Sequence, residues 1–238
     1  MNKILLLIVS LFVQIDSFCQ SEMIQLSDKV NTIDNLIPKN WKILSTANGD
    51  LNKDGIDDLA LVIENTETKY LKFNDGRLGR DTINLNPRIL AIYFKNTTGH
   101  LIKKAQYNEF IILQDSPTMD EPFDGIEILK NGVLKIDFHF WYSAGSWNMS
   151  NHTYKFRFQN DKFELIGYDS NNRHRGTGET IDYSINFSTR KMNISKTIID
   201  ENDIERTKSK NRSFKLKTLK SIESLKKPFE WKFNNIRL

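Results

Sequence analysis

Hydrophobic and polar residues alternate along most of this chain with the two-residue period of half-buried β-strands. Ile136, Phe138 and Phe140 fall on one face of such a segment, while Lys135 and Asp137 fall on the other. Residues 59–63 and 89–94 are apolar on both faces, which is typical of central strands. These patterns predict strands over residues 41–47, 59–64, 89–95, 102–113, 125–130, 133–142, 153–159, 162–168, 180–189, 191–196 and 213–219.

Turn-forming residues separate the predicted strands at the distances of β-hairpins. These turns are Asn74-Asp75-Gly76, Asn96-Thr97-Thr98-Gly99, Asn131-Gly132 and Asn160-Asp161. Turns between nearest neighbours predict a mainly β fold, in which an antiparallel meander forms a β-sandwich or a small propeller-like array. Phe229, Trp231 and Phe233 recur at every second position, so we expect a last strand there, docked on the core.

Two segments depart from the strand pattern. Between residues 21 and 40, apolar residues recur at intervals of three and four and the pattern ends at Pro38. This spacing predicts a short N-terminal helix that covers one opening or face of the sheet. Residues 200–212 are highly charged and lack apolar periodicity, so we expect an exposed loop.

The first twenty residues have the layout of a secretory signal peptide: Lys3, then an apolar run over residues 4–13, then a polar exit. This run is shorter than the roughly 20 apolar residues of a membrane span. We therefore expect a signal peptide at residues 1–20, a single β-domain at residues 21–238, and a periplasmic or secreted protein with no transmembrane span. Lipid anchoring at Cys19 is the alternative use of that residue, although Asp16 and Phe18 fit a lipobox poorly.

Composition adds two constraints. Cys19 is the only cysteine, so the mature chain has no intramolecular disulfide and needs another source of stability, such as a structural cation. The net charge of +4 is mild and demands neither a nucleic acid nor a membrane surface as partner.

The segment Gly49-Asp50-Leu51-Asn52-Lys53-Asp54-Gly55-Ile56-Asp57-Asp58 carries the most specific chemistry in the chain. Side-chain oxygens stand at loop positions one, three, five and nine, a glycine stands at position six, and position seven offers a backbone carbonyl. This arrangement suits Ca²⁺, which takes six to eight oxygen ligands. The predicted ligands are Asp50, Asn52, Asp54, the carbonyl of Ile56, and Asp58. A turn held by Asp and Asn side chains without a metal is the alternative.

This segment resembles the calcium loop of FG-GAP and VCBS-type repeat proteins, which lies in a turn between two β-strands. The resemblance covers residues 44–63 and implies calcium-ligand roles for the same five residues. The chain has one such loop, whereas the repeat arrays of that family carry many. It is not an EF-hand, because position twelve is Leu61 and the next segment is β-like.

Three further segments are candidates for contacts with partners. Residues 139–147 run from aromatic residues into a Ser-Ala-Gly-Ser turn, which predicts either a strand end with core aromatics or a recognition loop. The residues of that loop that we expect to contact a partner are Trp141, Tyr142, Ser146 and Trp147. An acidic cluster (Asp120, Glu121 and Asp124) could complete a cation site or receive a basic partner. A basic one (Arg173, His174 and Arg175), in a polar loop expected at residues 168–179, could bind an anion. We expect both clusters in solvated loops.

The sequence therefore predicts an exported, calcium-binding β-domain with a non-enzymatic binding role. Its partner would be a protein or a glycan of the cell envelope, and an inhibitor-like or immunity-like role, with the Ser143–Ser146 turn entering an enzyme cleft, is one form of this hypothesis. The alternative is a secreted carbohydrate-active hydrolase with structural calcium, which would need a cleft with two carboxylates about 5–10 Å apart.

Overall fold

The computed structural model describes residues 24–76 and 78–238. The protein is mainly β, with antiparallel strands in two large sheets that do not close into a barrel, so the predicted fold class is confirmed. The predicted signal peptide and Cys19 lie outside the described residues.

The first sheet has five antiparallel strands in the order β1-β7-β6-β3-β2. Their bounds are β1 Lys29–Val30, β2 Trp41–Gly49, β3 Asp58–Asn65, β6 Arg88–Lys95 and β7 Leu101–Tyr107. Every residue of β3 is buried, as are the first six of β6. The prediction that these two apolar segments are central strands is therefore confirmed.

The second sheet is a seven-stranded meander whose strand order follows the sequence from β8 to β14. Its strands are β8 Phe123–Leu129, β9 Val133–Phe140, β10 Asn148–Gln159, β11 Lys162–His174, β12 Thr180–Asn186, β13 Lys191–Ile199 and β14 Glu205–Ser213. The predicted turns at Gly132 and at Asn160-Asp161 adopt positive φ angles of 71°, 53° and 61°. Asn and Gly tolerate this left-handed backbone, which tight hairpins require.

The two sheets pack face to face over one aromatic-rich core. Ala60 and Ile92 of the first sheet share this core with Ile136, Tyr154 and Phe156 of the second. A second apolar cluster covers the other face of β3 and β6, where Leu26, Val30 and Leu36 of the N-terminal segment pack. Burial on both faces explains why these strands carry no polar alternation.

The predicted N-terminal helix is wrong over the part of it that the structure describes. The segment instead pairs as strand β1 with β7 and then forms a single 3₁₀ turn at Asp34–Leu36. Asp, Asn and Thr interrupt the apolar residues and are poor helix formers, so pairing with the edge of the sheet prevails. The segment does cover one face of the sheet, as expected.

The strand predictions near the C-terminus are partly wrong. The charged segment expected to be a loop contains β14, and the predicted strand at residues 213–219 is absent beyond Ser213, the last residue of β14. Phe214, Leu216 and Leu219 nevertheless pack on the core. The tail forms a two-stranded hairpin of β15 (Lys232–Phe233) and β16 (Ile236–Arg237), and Phe233 is buried as predicted. A short helix α1 (Ile222–Leu225) precedes it.

Three smaller differences concern strand bounds. Strand β7 ends at Tyr107 rather than at residue 113, and β11 continues to His174, so much of the loop expected at residues 168–179 is strand. The chain between β3 and β6 also forms a short hairpin of its own, made of β4 (Leu71–Phe73) and β5 (Thr82–Asn84), which was not predicted.

Candidate functional site: the β2–β3 loop and the β9–β10 loop

The predicted calcium loop, residues 50–57, joins the antiparallel strands β2 and β3. Gly55 adopts φ = +87°, and a Cβ at this position would meet no atom within 4 Å. The loop therefore requires glycine for its left-handed backbone and not for space.

Backbone N–H groups turn three of the predicted ligands, Asp50, Asn52 and Asp54, toward the loop interior. The Asp50 carboxylate accepts hydrogen bonds from the amides of Asp54 (3.1 Å) and Gly55 (2.9 Å). Asn52 Oδ1 accepts one from Asp54 N (3.0 Å), and Asp54 Oδ1 accepts one from Ile56 N (2.8 Å). Each oxygen has a second lone pair, so the same arrangement can hold a metal-free Asx turn or present ligands to a cation.

Asp58 is held by a different set of backbone amides. Its side chain is fully buried at the start of β3, and its carboxylate accepts hydrogen bonds from Leu51 N (2.9 Å), Asn52 N (3.3 Å) and Lys95 N (3.0 Å). Burial raises the pKa of Asp58 and the negative charge of Asp54 adds to the increase, although the three amides oppose it. Asp58 thus ties the loop to strand β6.

The loop carries negative charge that no side-chain cation neutralises. Asp50, Asp54 and Asp58 take part in none of the ion pairs found among the described residues. Within the same part of the chain, no group of three or more His, Cys, Asp or Glu side chains is arranged to hold a metal. A cation at this loop would therefore need Asn52 and backbone carbonyls as ligands besides the carboxylates.

The loop also contacts the second sheet. Leu51 is 1% exposed and belongs to the core between the sheets. A Cβ on Gly132, in the β8–β9 turn, would lie 2.7 Å from the carbonyl oxygen of Asp50, so the two turns touch. The sequence pattern identified the local ligands of this loop but not this long-range contact.

The predicted recognition loop, residues 141–147, connects β9 and β10. Trp147 is 66% exposed, whereas Trp141, Tyr142 and Ser146 are half-buried. The loop borders a cavity of about 500 Å³ whose lining residues are Ser143, Ala144, Gly145, Ser146, Trp147 and Arg175. Exposed Trp beside a cavity is the arrangement that favours contact with a partner.

Arg175 organises this loop, which the sequence did not indicate. Its guanidinium donates to the carbonyl oxygens of Tyr142 (2.9 Å) and Ser146 (2.5 Å) and lies 5.0 Å from the ring centre of Trp141. Its backbone amide donates to the carbonyl of Trp147 (2.8 Å). The side chain that we grouped with an anion-binding cluster therefore holds the aromatic loop in shape.

The predicted acidic cluster does not act as a unit. Glu121 forms a bidentate pair with Arg88 (2.6 and 2.8 Å), and Arg88 also contacts buried Glu64 (2.7 Å). Asp120 instead pairs at the surface with Arg80 (3.6 Å). Although burial alone would raise the pKa of Glu64, hydrogen bonds and charges from Lys42 and Arg88 lower it.

His152 is the centre of a polar chain on the inner face of the second sheet, in which His152 and Ser150 are half-buried and Tyr168 is buried. Its Nδ1 lies 2.6 Å from the Tyr168 hydroxyl and its Nε2 lies 2.8 Å from the Ser150 hydroxyl. Burial lowers its pKa to about 4, so the ring is neutral at physiological pH. The sequence pattern did not predict this chain, because its members are brought together only by the register of β10 and β11.

Comparison with known protein families, curated proteins and solved structures gives no match to this chain. Among the described residues, no helix is long and apolar enough to span a membrane.

Proposed function

We propose that this protein is an exported, calcium-stabilised binding domain. The observation that carries the calcium proposal is the β2–β3 loop, where backbone amides orient the oxygens of Asp50, Asn52 and Asp54. Among the described residues, none of the loop's carboxylates forms an ion pair with a cationic side chain. The Ile56 carbonyl and Asp58 complete the proposed ligand set. A divalent cation would offset the mutual repulsion of these carboxylates.

The position of the loop gives calcium a structural role. Leu51 anchors the loop in the core, Asp58 ties it to β6, and its backbone touches the β8–β9 turn. A ligand that binds only the folded state adds about 2.7 kcal/mol at a concentration 100 times its Kd. This gain would stabilise a mature chain without disulfides.

The calcium proposal is tested by thermal unfolding of residues 21–238 with Ca²⁺ and with EDTA. We expect Ca²⁺ to raise the Tm and EDTA to lower it, and Asp54→Ala to abolish the difference. Asp57→Ala is the matched control, because Asp57 is an exposed carboxylate of the same loop outside the proposed ligand set. A Tm that does not respond to Ca²⁺ in the unaltered chain would refute the metal site.

The β9–β10 loop is the proposed contact with a protein or glycan of the cell envelope. Its support is the exposed indole of Trp147 beside a cavity, with the loop backbone held by Arg175. Affinity capture from the native envelope should recover a partner with the unaltered chain and lose it with Trp147→Ala. The same pair of proteins, added to a lysozyme assay, tests the inhibitor form of the hypothesis.

Export is tested separately by N-terminal sequencing of the protein recovered from its own cells. Cleavage near residue 20 supports the proposed signal peptide, and a lipid mass on Cys19 supports anchoring. The cavity beside the β9–β10 loop is not lined by a carboxylate, so it lacks the two acids that the alternative hydrolase needs.

A further inference from the structure

The cavity beside the β9–β10 loop has an aromatic wall that is supported from one side. The indole of Trp147 packs on the β11–β12 turn, where a Cβ added to Gly176 would lie 3.6 Å from the Trp147 Cε3 atom. The ring centre of His174 lies 6.5 Å from that of Trp147, and the two ring planes are inclined by 31°. Trp147 nevertheless remains 66% exposed, so most of the indole is open to a ligand.

The loop that forms the rest of the cavity is fixed at both ends. At one end, the Ser143 amide donates to the carbonyl oxygen of Thr118 (2.8 Å), and at the other the Arg175 amide donates to the carbonyl oxygen of Trp147 (2.8 Å). Between these two bonds, the Arg175 guanidinium donates to two carbonyl oxygens of the loop. A ligand therefore finds the loop already ordered, which lowers the entropic cost of binding.

The polar groups of the cavity suit an uncharged ligand. Among the described residues, the lining contains no carboxylate and no cation other than Arg175, whose guanidinium is bound to the loop carbonyls and lies over the Trp141 ring. The hydroxyl of Ser143 donates to the Thr118 carbonyl, and that of Ser146 exchanges hydrogen bonds with the backbone of Asn148. Each hydroxyl oxygen keeps at least one lone pair that can accept a hydrogen bond from a ligand.

The size of the cavity favours a small ligand over a protein surface. Its volume of about 500 Å³ falls in the range of roughly 300–1,000 Å³ that is typical of small-molecule sites. A standard protein interface buries about 800 Å² on each partner and has several aromatic or apolar anchors at its centre. Here Trp147 is the one large apolar side chain of the lining, and the loop residues beside it are small: Ser143, Ala144, Gly145 and Ser146.

We infer that this cavity binds a neutral oligosaccharide, with one pyranose ring stacked on the Trp147 indole and its hydroxyls donating to Ser143 and Ser146. A pyranose has an apolar C–H face and a rim of hydroxyls, which matches an indole face beside hydroxyl acceptors. Rings whose substituents are all equatorial have the flattest C–H face, so we expect β-1,4-linked glucose or N-acetylglucosamine units. This inference rests on the proposed binding role of the β9–β10 loop and names a glycan rather than a protein as its partner.

Calorimetric titration of residues 21–238 with cellotetraose and with chitotetraose tests the inference. We expect saturable binding of at least one of them. Because the ligand is uncharged, its affinity should be the same in about 50 mM and about 500 mM NaCl, since salt screens only interactions between charges.

Variants of the aromatic wall locate the binding site. Trp147→Ala should weaken binding about tenfold or more, which is about 1.4 kcal/mol, whereas Trp147→Tyr keeps a ring and should bind more tightly than Trp147→Ala. Phe73→Ala is the matched control, because Phe73 is 70% exposed on β4 and lies outside the cavity lining. It should bind like the unaltered protein.

The inference is wrong if neither oligosaccharide binds saturably, if Trp147→Ala binds as tightly as the unaltered chain, or if salt weakens binding steeply. Affinity capture with the same proteins separates this failure from that of the proposed function. Capture of a protein partner that depends on Trp147, without any oligosaccharide binding, overturns the glycan inference and leaves the binding role of the loop in place. Absence of both kinds of binding contradicts the role itself.

Discussion

Acid should destabilise this protein through His152. Its ring lies 4.7 Å from the ring of Phe229 and 5.5 Å from that of Phe140, and its nitrogens contact the hydroxyls of Tyr168 and Ser150. No carboxylate takes part in these contacts. Burial lowers the pKa of His152 from 6.5 to about 4.

The direction and size of the effect follow from proton uptake. The unfolded chain protonates this imidazole below pH 6.5, whereas the folded chain keeps it neutral down to about pH 4. Because the unfolded state binds more protons in this window, the free energy of unfolding falls as the pH falls. At about 1.4 kcal/mol per pH unit, the loss is about 3 kcal/mol below pH 4, of which about 2 kcal/mol is reached by pH 5.

Urea unfolding of the unaltered chain and of His152→Gln at pH 7.5, 6.5, 5.5 and 5.0 measures this loss. Glutamine does not titrate, so the variant should be less stable at pH 7.5 but should lose about 2 kcal/mol less than the unaltered chain on going to pH 5. Parallel stability curves for the two proteins would refute the assignment of a depressed pKa to His152. The chemical shift of its ring protons provides a direct check.

Two further predictions concern contacts between elements. In urea unfolding, Gly132→Ala should destabilise the protein by about 2–3 kcal/mol, because Gly132 has φ = +71° and the new Cβ would meet the Asp50 carbonyl. The control Gly99→Ala, at a glycine with φ = +82° and open space around it, should destabilise the protein by only about 1 kcal/mol. Equal losses of stability in the two variants would contradict the contact between the two turns. Arg88→Met should lower the free energy of unfolding by about 3–5 kcal/mol, because it leaves the buried Glu64 with one ion-pair partner fewer. Lys42→Met, which removes the exposed partner of Glu64, should lower it by less than about 1 kcal/mol. The reverse order would be inconsistent with a buried ion pair between Arg88 and Glu64.

The long strands that bury apolar residues could be predicted from the sequence, whereas the long exposed strand β14 could not. Strand β9 is buried on one face, and β3 and β6 are buried on both faces. Buried positions hold apolar residues, so the period-two pattern and the apolar runs are visible in the sequence. Strand β14 is exposed throughout, and polar pairs such as Thr197 with Thr207 and Ser195 with Ser209 hold it against β13. Charged residues are typical of an edge strand, because they prevent its unpaired backbone groups from pairing with another chain. A prediction that relies on apolar periodicity assigns such a charged segment to a loop.

The candidate sites show the same division between local and long-range information. The spacing of Asp50, Asn52 and Asp54 predicts a turn whose oxygens point inward, because each bond spans five residues or fewer. The role of Arg175 depends on a register that brings it to a loop about 30 residues earlier in the chain. Its neighbours in sequence predicted a solvated basic loop or an anion site, since no local pattern marks a side chain that binds distant carbonyls.

The placement of the β2–β3 loop explains how one copy of such a loop could stabilise a whole domain. In this chain the loop does more than close its own hairpin, because Leu51 enters the core between the sheets and the Asp50 carbonyl touches the β8–β9 turn. Asp58 adds a bond to β6 on the neighbouring strand. A cation that orders the backbone of this loop would therefore act at once on the β2–β3 connection, the β8–β9 turn and the end of β6, and so would stabilise the packing of the two sheets.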